Sequence, residues 1–345
     1  MIPSVVPTES DTLIRPVRLL ALGGDGVGPE VMEPTLRLLQ RESALCIDEA
    51  FAGHDAFRQT GTTIDASTLT QARTVDGVLF GCSATPSPPP ADYQSPILLL
   101  RRELGLVANI RACRDPSGDV IDVVMVRDCI EGLYSEVERP IDNGYLAEYR
   151  VTRDVTTRIA AVAADIARNR HGIVTVVHKA NVLRHADGLF RSAAIAELDR
   201  KGIRHDEALA DAAGYHLVLK PRRYDVMMMT SHVGDILSDV GAAIAGGLGL
   251  VPSLTLGSGP PLAEPIHGSA PDISGTGLAD PVAMMLSAAM LLDSLGRRVF
   301  AKHLREAVRG HLQERTRGKP LRTLTVYDDV ARRLDASLEM ASTPS

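Results

Sequence analysis

IDVVMVRD (121–128), VTTRIAAVAADI (155–166) and GIVTVVHK (172–179) decide how this chain folds. The first and last are short apolar runs rich in β-branched residues, the composition of buried strands. Between them Val155, Ile159, Val162 and Ile166 recur at intervals of four, three and four, which lays an apolar stripe along one helix. The alternation extends in both directions. VRLLALG (17–23) is an apolar run ending in glycine, and Pro29 then opens a helical stretch on which Val31, Leu36 and Leu39 share a face. DGVLFG (76–81), LVANIRA (106–112) and YDVMMMT (224–230) read as further strands, and ILLLRRELG (97–105) as a helix closed by Gly105. A helix is expected near 232–245, and helix patterns fill 281–314. Strands separated by helices imply an α/β fold with a substantially parallel sheet. The first sixteen residues and ASTPS (341–345) read as loose ends.

Two stretches interrupt this pattern. ATPSPPPAD (84–92) is a proline-rich loop, and YSEVERPIDNGYLAEYRV (134–151) alternates around Asp142–Asn143–Gly144, a hairpin signal. A hairpin projecting from an α/β domain must cover its apolar face, and a partner subunit is one way. There is no internal repeat. The 345 residues suit two domains of roughly 150 residues each.

Composition narrows the classes. The chain is 45% apolar and 23% charged, with 37 basic against 43 acidic residues and a net charge of −6. This argues against a nucleic-acid binder, which carries a basic total or face. No apolar run is long enough to span a bilayer. MIPSVVPTESDTLIRP lacks the basic start and apolar stretch of a signal peptide. Cys46, Cys82, Cys113 and Cys129 lie far apart, as reduced thiols of a cytoplasmic protein do. A soluble cytoplasmic protein with no membrane or nucleic-acid partner is expected.

Several side chains could carry chemistry. GGDGVGPE (23–30) joins strand to helix through glycines, as a tight turn or as a phosphate cradle. In GDILSD (234–239), Asp235 and Asp239 project from one helical face, where like charges repel unless a cation sits between them. That is either a solvated acidic face or a Mg²⁺ or Mn²⁺ site. Lys179 ends a strand, where α/β proteins bind ligands, and is either a surface cap or a base of lowered pKa; His178 beside it reads as structural. Arg101, Arg111 and Arg127 lie in apolar segments, so they pair with internal acids or converge on a polycarboxylate. Tyr134, which follows the strand of Arg127, either packs or reaches the same cleft. EPIHGSAPDISGTGLADP (264–281) is a polar, glycine-rich loop, functional or plain surface, that cannot be a core element.

Taken in order, GGDGVGPEV, LLRRELGLVANIR, VRDCIEGLY, VTVVHKANVL, YDV, GDILSD, GGLGLVPS and EPIHGSAPDISGTG resemble the metal-dependent β-decarboxylating dehydrogenases, from about residue 17 to about 315. That family includes isocitrate, homoisocitrate, 3-isopropylmalate and tartrate dehydrogenases. The resemblance implies a two-domain α/β homodimer that is not a Rossmann fold, with a tetramer of paired dimers as the alternative. Its first, cofactor-side domain would be 1–106 plus 246–345. Its second would be 107–245, with the metal site, the dimer interface and an arm at about 134–151. It places Arg101, Arg111 and Arg127 on substrate carboxylates, with Ser95, Ile97 and Thr85 also at the substrate. Asp235 and Asp239 would hold Mg²⁺ or Mn²⁺, and Asp211, placed before the helix leading to YDV, would complete the site from the partner subunit. Lys179, also from the partner, would take the C2 hydroxyl proton as hydride leaves for NAD, and Tyr134 would protonate the enol carbon after CO₂ departs. The adenosine loop maps to His267, Gly268 and onward to Asp272, with Gly23–Gly28 nearby, and Glu264, Asp280 and Asn181 join the cofactor set. Asp272 stands where a carboxylate accepts a ribose 2′-hydroxyl, which implies NAD over NADP.

The chain departs from the family pattern at Ser231–His232–Val233 before GDILSD, at Asp280 in place of an asparagine, at Ala112–Cys113 after ANIR, and at Cys129. Substrate choice turns on Tyr93–Gln94–Ser95–Pro96–Ile97–Leu98. With LLLRRELGL and HKANVLRHADGLFR, that turn most resembles the homoisocitrate branch, hence an acidic arm on C3. The alternatives are 3-isopropylmalate and a secondary-metabolism analogue such as 3-(phosphonomethyl)malate. A non-catalytic regulatory subunit, the rival class, would be expected to lose Lys179, Tyr134 or a metal-site aspartate, and none is lost.

Overall fold

A computed structural model describes residues 15–315 and 322–342. In chain order its elements are β1 (Val17–Gly24), α1 (Gly28–Leu39), β2 (Leu45–Ala50), α2 (His54–Thr60), α3 (Ala66–Ala72), β3 (Gly77–Cys82) and α4 (Pro96–Glu103). Then come β4 (Leu106–Arg114), β5 (Asp122–Asp128), β6 (Glu138–Ile141), β7 (Gly144–Ala147), α5 (Arg153–Arg168), β8 (Ile173–His178), α6 (Ala186–Arg200), β9 (Arg204–Leu209) and α7 (Ala210–Leu219). The chain ends through β10 (Val226–Met229), α8 (Ser231–Ala245), β11 (Pro252–Gly257), β12 (Leu262–Pro265), α9 (Val282–Ser294), α10 (Arg298–Glu314) and α11 (Thr323–Ser342). Of the expected loose ends, 1–14 and 343–345 lie outside the described residues, whereas Ala341 and Ser342 close α11. Among the described residues no helix is long and apolar enough to cross a membrane.

The chain divides into two compact units. The inserted unit holds 105–247 and 255–257; the flanking unit holds the described residues 15–104, 248–254 and those from 258 onward. β11 is shared, its first half in the flanking unit and its second in the inserted one.

The flanking unit carries strands in the order β2, β1, β3, β12, β11, with β2, β1, β3 and β12 parallel. Its core is Leu19, Leu20 and Leu22 of β1, Leu79 and Phe80 of β3, and α9, which is buried almost all round. A helix apolar on every side belongs inside. Val31, Leu36 and Leu39 of α1 are buried together, as their spacing requires. The glycines of the 23–30 turn are there for close approach. At Gly24, φ is +74° and an added Cβ would lie 1.8 Å from the Cys82 carbonyl oxygen; at Gly26 it would lie 2.0 Å from that of Ser269. The Glu30 carboxylate accepts Gly275 N–H, Ala279 N–H and Thr323 Oγ1 at 2.8–3.0 Å, which ties α1 to the 270s loop and to α11.

The inserted unit orders its strands β4, β5, β10, β8, β9. β4 and β5 are antiparallel, and the rest are parallel. The antiparallel step follows from RDPSGD (114–119): the Asp115 carboxylate accepts the N–H groups of Ser117, Gly118, Val120 and Ile121, which turns the chain back at once. Val174, Val176, Val177 and Met227–Met229 line the sheet, covered by Ile159, Ala160 and Ala163 of α5 and Phe190 of α6. The hairpin forms as expected, β6 against β7, with Ile141 opposite Gly144 and Asn143 at φ +59°. All eight of its strand residues are exposed.

Two sequence expectations are corrected. Glu264 and Pro265 end β12, so the 264–281 stretch begins in a strand whose Leu262 and Ala263 are core. Asp211 lies inside the first turn of α7 rather than before a helix.

Candidate active site

In the inserted unit, β4 and β5 aim two arginines at one end of α8. The register sets Asn109 opposite Arg127, with Arg111 two residues along the same face. Asn109, fully buried, accepts Arg111 Nε at 3.0 Å and Arg127 Nε at 3.3 Å and donates to Thr255 Oγ1 at 2.9 Å. It fixes both guanidinium planes at once. The polar residue inside the apolar run LVANIRA is the signal that could have singled it out.

α8 meets these arginines through a glycine. A Cβ on Gly234 would fall 2.4 Å from Arg127 Cβ, so only glycine allows the helix this close. The next residue is Asp235, whose Oδ1 receives Arg111 Nη2 and Arg127 Nη2, each at 3.0 Å. Arg111 Nη1 also reaches Asp239 Oδ1 at 3.3 Å and Ser238 Oγ at 2.7 Å. The cation between the two aspartates of one helical face is therefore Arg111. Tyr134 Oη donates to Asp235 Oδ2 at 2.8 Å, and the Arg127 guanidinium lies 5.0 Å from the Tyr134 ring centroid. Arg111 and Arg127 side chains are 9% and 3% exposed, Asp235 and Asp239 41% and 56%. The cations are thus inside and the carboxylates keep open faces. Burial raises the Tyr134 phenol above its usual range, against the pull of Arg127, so it holds its proton at neutral pH. Burial also raises Asp239, opposed by Arg111.

Lys179 and Asp211 form a second group in this unit, Nζ to Oδ1 at 2.5 Å. The Lys179 hydrogen bond lowers the Asp211 pKa and keeps it a carboxylate. Asp211 does not join Asp235 and Asp239: among the described residues no three His, Cys, Asp or Glu side chains gather as a metal-ion set. Asn181 is exposed on the turn after Lys179. His178 is buried with Nε2 3.4 Å from Glu207, a structural placement. At the departures, Ser231 gives its carbonyl to Arg127 Nη1 at 3.0 Å, while Cys113 and Cys129 are buried thiols.

In the flanking unit, Arg101 of α4 pairs with Glu264 of β12 at 2.6 Å, both largely buried. Ser95 is the N-cap of α4 but makes no side-chain cap hydrogen bond; Ile97 is half-buried in the first turn. Thr85 is exposed, and its neighbour Ala84 donates its N–H to Asp25 at 2.8 Å. Asp25 also accepts His54 N–H and Asp55 N–H at 2.8 and 3.0 Å, so this buried carboxylate, unremarked in the sequence, shapes the 84–92 loop. His267 has lowered basicity because its ring is buried; its Nδ1 meets the Gly268 carbonyl at 3.0 Å, and its buried Nε2 has no hydrogen-bond partner among the described residues. The 23–28 turn touches this loop where Val27 N–H donates to the Ser269 carbonyl at 2.9 Å. Asp272 is exposed, and Asp280 is held by Arg315 at 2.6 Å.

Residues 18–331 match the family model described as isocitrate/isopropylmalate dehydrogenase. The chain is 35% identical over 310 residues to a homoisocitrate dehydrogenase of Methanocaldococcus jannaschii, covering 85% of this chain and 89% of that one. It is 36% identical over 332 residues to a 3-isopropylmalate dehydrogenase of Archaeoglobus fulgidus, covering 92% and 99%. The crystal structure of an isocitrate dehydrogenase from Methylococcus capsulatus superposes with a TM-score of 0.86 at 32% identity, over 92% of this chain and 99% of that one.

Proposed function

The chain belongs to the isocitrate/isopropylmalate dehydrogenase family, and from that membership we propose that it is an NAD-linked, divalent-metal-assisted dehydrogenase of a 3-substituted malate with an acidic arm, homoisocitrate first. It is an oxidoreductase, and the chemistry of its family is oxidative decarboxylation of 3-carboxy-2-hydroxy acids. The observation that carries the finer reading is the convergence of Arg111, Arg127 and Tyr134 on Asp235, with Asp239 one turn away.

The residue types fit their tasks. Buried guanidinia in fixed planes suit planar carboxylates, and substrate carboxylates can take the place of the Asp235 oxygens on Arg111 and Arg127. The outward faces of Asp235 and Asp239 are hard oxygen donors of the kind a divalent cation needs, with Asp211 of a second copy as the third. The unpartnered buried His267 Nε2 fits a cofactor group at the 267–272 loop. When bound, the cation supplies an electrophile for the C2 oxygen and NAD the hydride acceptor.

This chain's residues then move the protons. Lys179 Nζ takes the C2 hydroxyl proton, and the adjacent Asp211 carboxylate balances the resulting ammonium. After CO₂ leaves C3, that carbon is protonated from Tyr134 Oη, which carries its proton at neutral pH. Asp272 favours a ribose 2′-hydroxyl over a 2′-phosphate. A cytoplasmic homodimer completes the reading. The exposed Tyr215, Val218 and Leu219 of α7, Ile236 of α8 and the bare hairpin supply apolar surface for a second copy to cover.

The half-buried Ile97 on α4 favours a second reading, 3-isopropylmalate. The two separate in an assay of NADH absorbance with Mg²⁺, run on homoisocitrate, isocitrate, 3-isopropylmalate, D-malate and 3-(phosphonomethyl)malate. Homoisocitrate should give the highest kcat/KM. A maximum on 3-isopropylmalate would reassign the substrate, and silence on all five would remove the proposed substrate class.

A further inference from the structure

The residue best placed to control Lys179 is a carboxylate that no role yet described uses. Asp187, in the first turn of α6, is 1% exposed. Its Oδ2 accepts the backbone N–H of Lys179 at 2.6 Å, and its Oδ1 accepts Tyr149 Oη at 3.0 Å. Its own N–H donates to the Leu183 carbonyl at 3.0 Å, while the Lys179 carbonyl accepts Val182 N–H and Leu183 N–H at 2.9 Å each. Lys179 is therefore clamped on both sides of its Cα, and only its side chain is free to point, toward Asp211. Among the described residues Asp187 makes no ion pair, and a buried carboxylate without one is costly unless hydrogen bonds and a helix N-terminus hold it; both are present here.

Tyr149 carries the link further. It lies on the return from the hairpin, its ring edge-on to His232 at 6.0 Å. The next residue, Arg150, gives its carbonyl to Gly132 N–H at 2.7 Å, and Glu131 accepts Thr152 N–H and Oγ1 at 2.8 Å each. That root carries the turn bearing Tyr134, whose N–H meets the Glu131 carbonyl at 3.2 Å.

We propose that Asp187, held by Tyr149, is a positioning residue for Lys179 and joins the base to the root of the hairpin that bears Tyr134. The inference rests on the reading of Lys179 as the base. If Lys179 serves the neighbouring copy while Tyr134 serves its own, the Tyr149–Asp187 pair links the two sites of one dimer.

The test uses the full chain with Asp187→Asn, Asp187→Glu, Tyr149→Phe and Lys179→Ala, plus the Lys179→Ala/Asp187→Asn double variant. With homoisocitrate, NAD and Mg²⁺, Asp187→Asn should lower kcat about tenfold or more and leave both KM values within about twofold. Asp187→Glu should recover part of the loss, and Tyr149→Phe should lose about two- to fivefold. In the Lys179→Ala background Asp187→Asn should cost nothing further. An unchanged kcat, or a loss that multiplies in the double variant, would overturn the proposal. If Asp187→Asn fails to fold, Asp187→Glu and Tyr149→Phe carry the same comparison.

A second readout needs no turnover: acetylation by acetic anhydride, read lysine by lysine by mass spectrometry. Asp187→Asn should change the labelling rate of Lys179 severalfold and leave Lys201 and Lys302 as they were. Equal rates at Lys179 in wild type and variant would overturn the proposal even if the wild type turned over none of the malates, which is the separate failure of the functional reading.

Discussion

Gly24 and Asp128 show how single residues set the limits of this molecule. At φ +74°, with a backbone oxygen 1.8 Å from where a Cβ would stand, Gly24 accepts no side chain. Gly24→Ala should lower stability by more than about 2 kcal/mol, read as a lower urea midpoint. Asp128, buried at the end of β5, accepts the N–H groups of Ile130 and Glu131, yet burial pushes its pKa up to about 6. A carboxyl whose folded pKa exceeds its unfolded one of about 3.9 favours the fold while protonated. That contribution is complete below pH about 4 and is lost as pH rises through about 6. Urea unfolding across this window should show wild type losing roughly 2–3 kcal/mol relative to Asp128→Asn, which cannot ionise. A flat difference would sink the assignment. Tyr134→Phe should lower kcat tenfold or more with substrate KM shifted less than about threefold. A raised KM with intact kcat would move Tyr134 from proton donor to substrate contact.

At the scale of elements, legibility followed burial. β1, β3, β4, β5, β8 and β10 are apolar runs, and the sequence shows them nearly to their ends. β2 (LCIDEA) and β9 (RHDEAL) stand at strand-order ends, partly exposed and charged, so their pattern is that of loop. The aspartate pair of α8 was legible because i, i+4 spacing is local. The Arg101–Glu264 pair and the roles of Asp25 and Asp187 were not, because their partners are distant in sequence or are backbone N–H groups with no residue signature. The hairpin was legible from Asp142–Asn143–Gly144, and it carries its own expectation. Ile141 and Tyr145 are 47% and 76% exposed. Replacing both with serine should leave helical circular dichroism unchanged and weaken self-association at least tenfold in sedimentation equilibrium, about 1.4 kcal/mol. Unaltered association would take the hairpin out of the interface.

As a whole molecule, the chain is expected to work as a pair. Light scattering after gel filtration should give twice the chain mass, and dilution to the monomer should abolish turnover, since Asp211 and Lys179 are read as serving a neighbouring copy. A fully active monomer would refute that division of labour. The order of synthesis matters as well. The flanking unit is written in separate pieces, and β12, the partner of β3, is translated only after the entire inserted unit. A growing chain must therefore hold β1 and β3 with one lateral edge bare while 105–247 emerges, a sticky template in a crowded cell. The inserted unit meets no such delay except for the last residues of β11. Vectorial synthesis gives this protein an early-finished middle and late-finished ends, and the interval between them is when a nascent-chain chaperone would have most to shield.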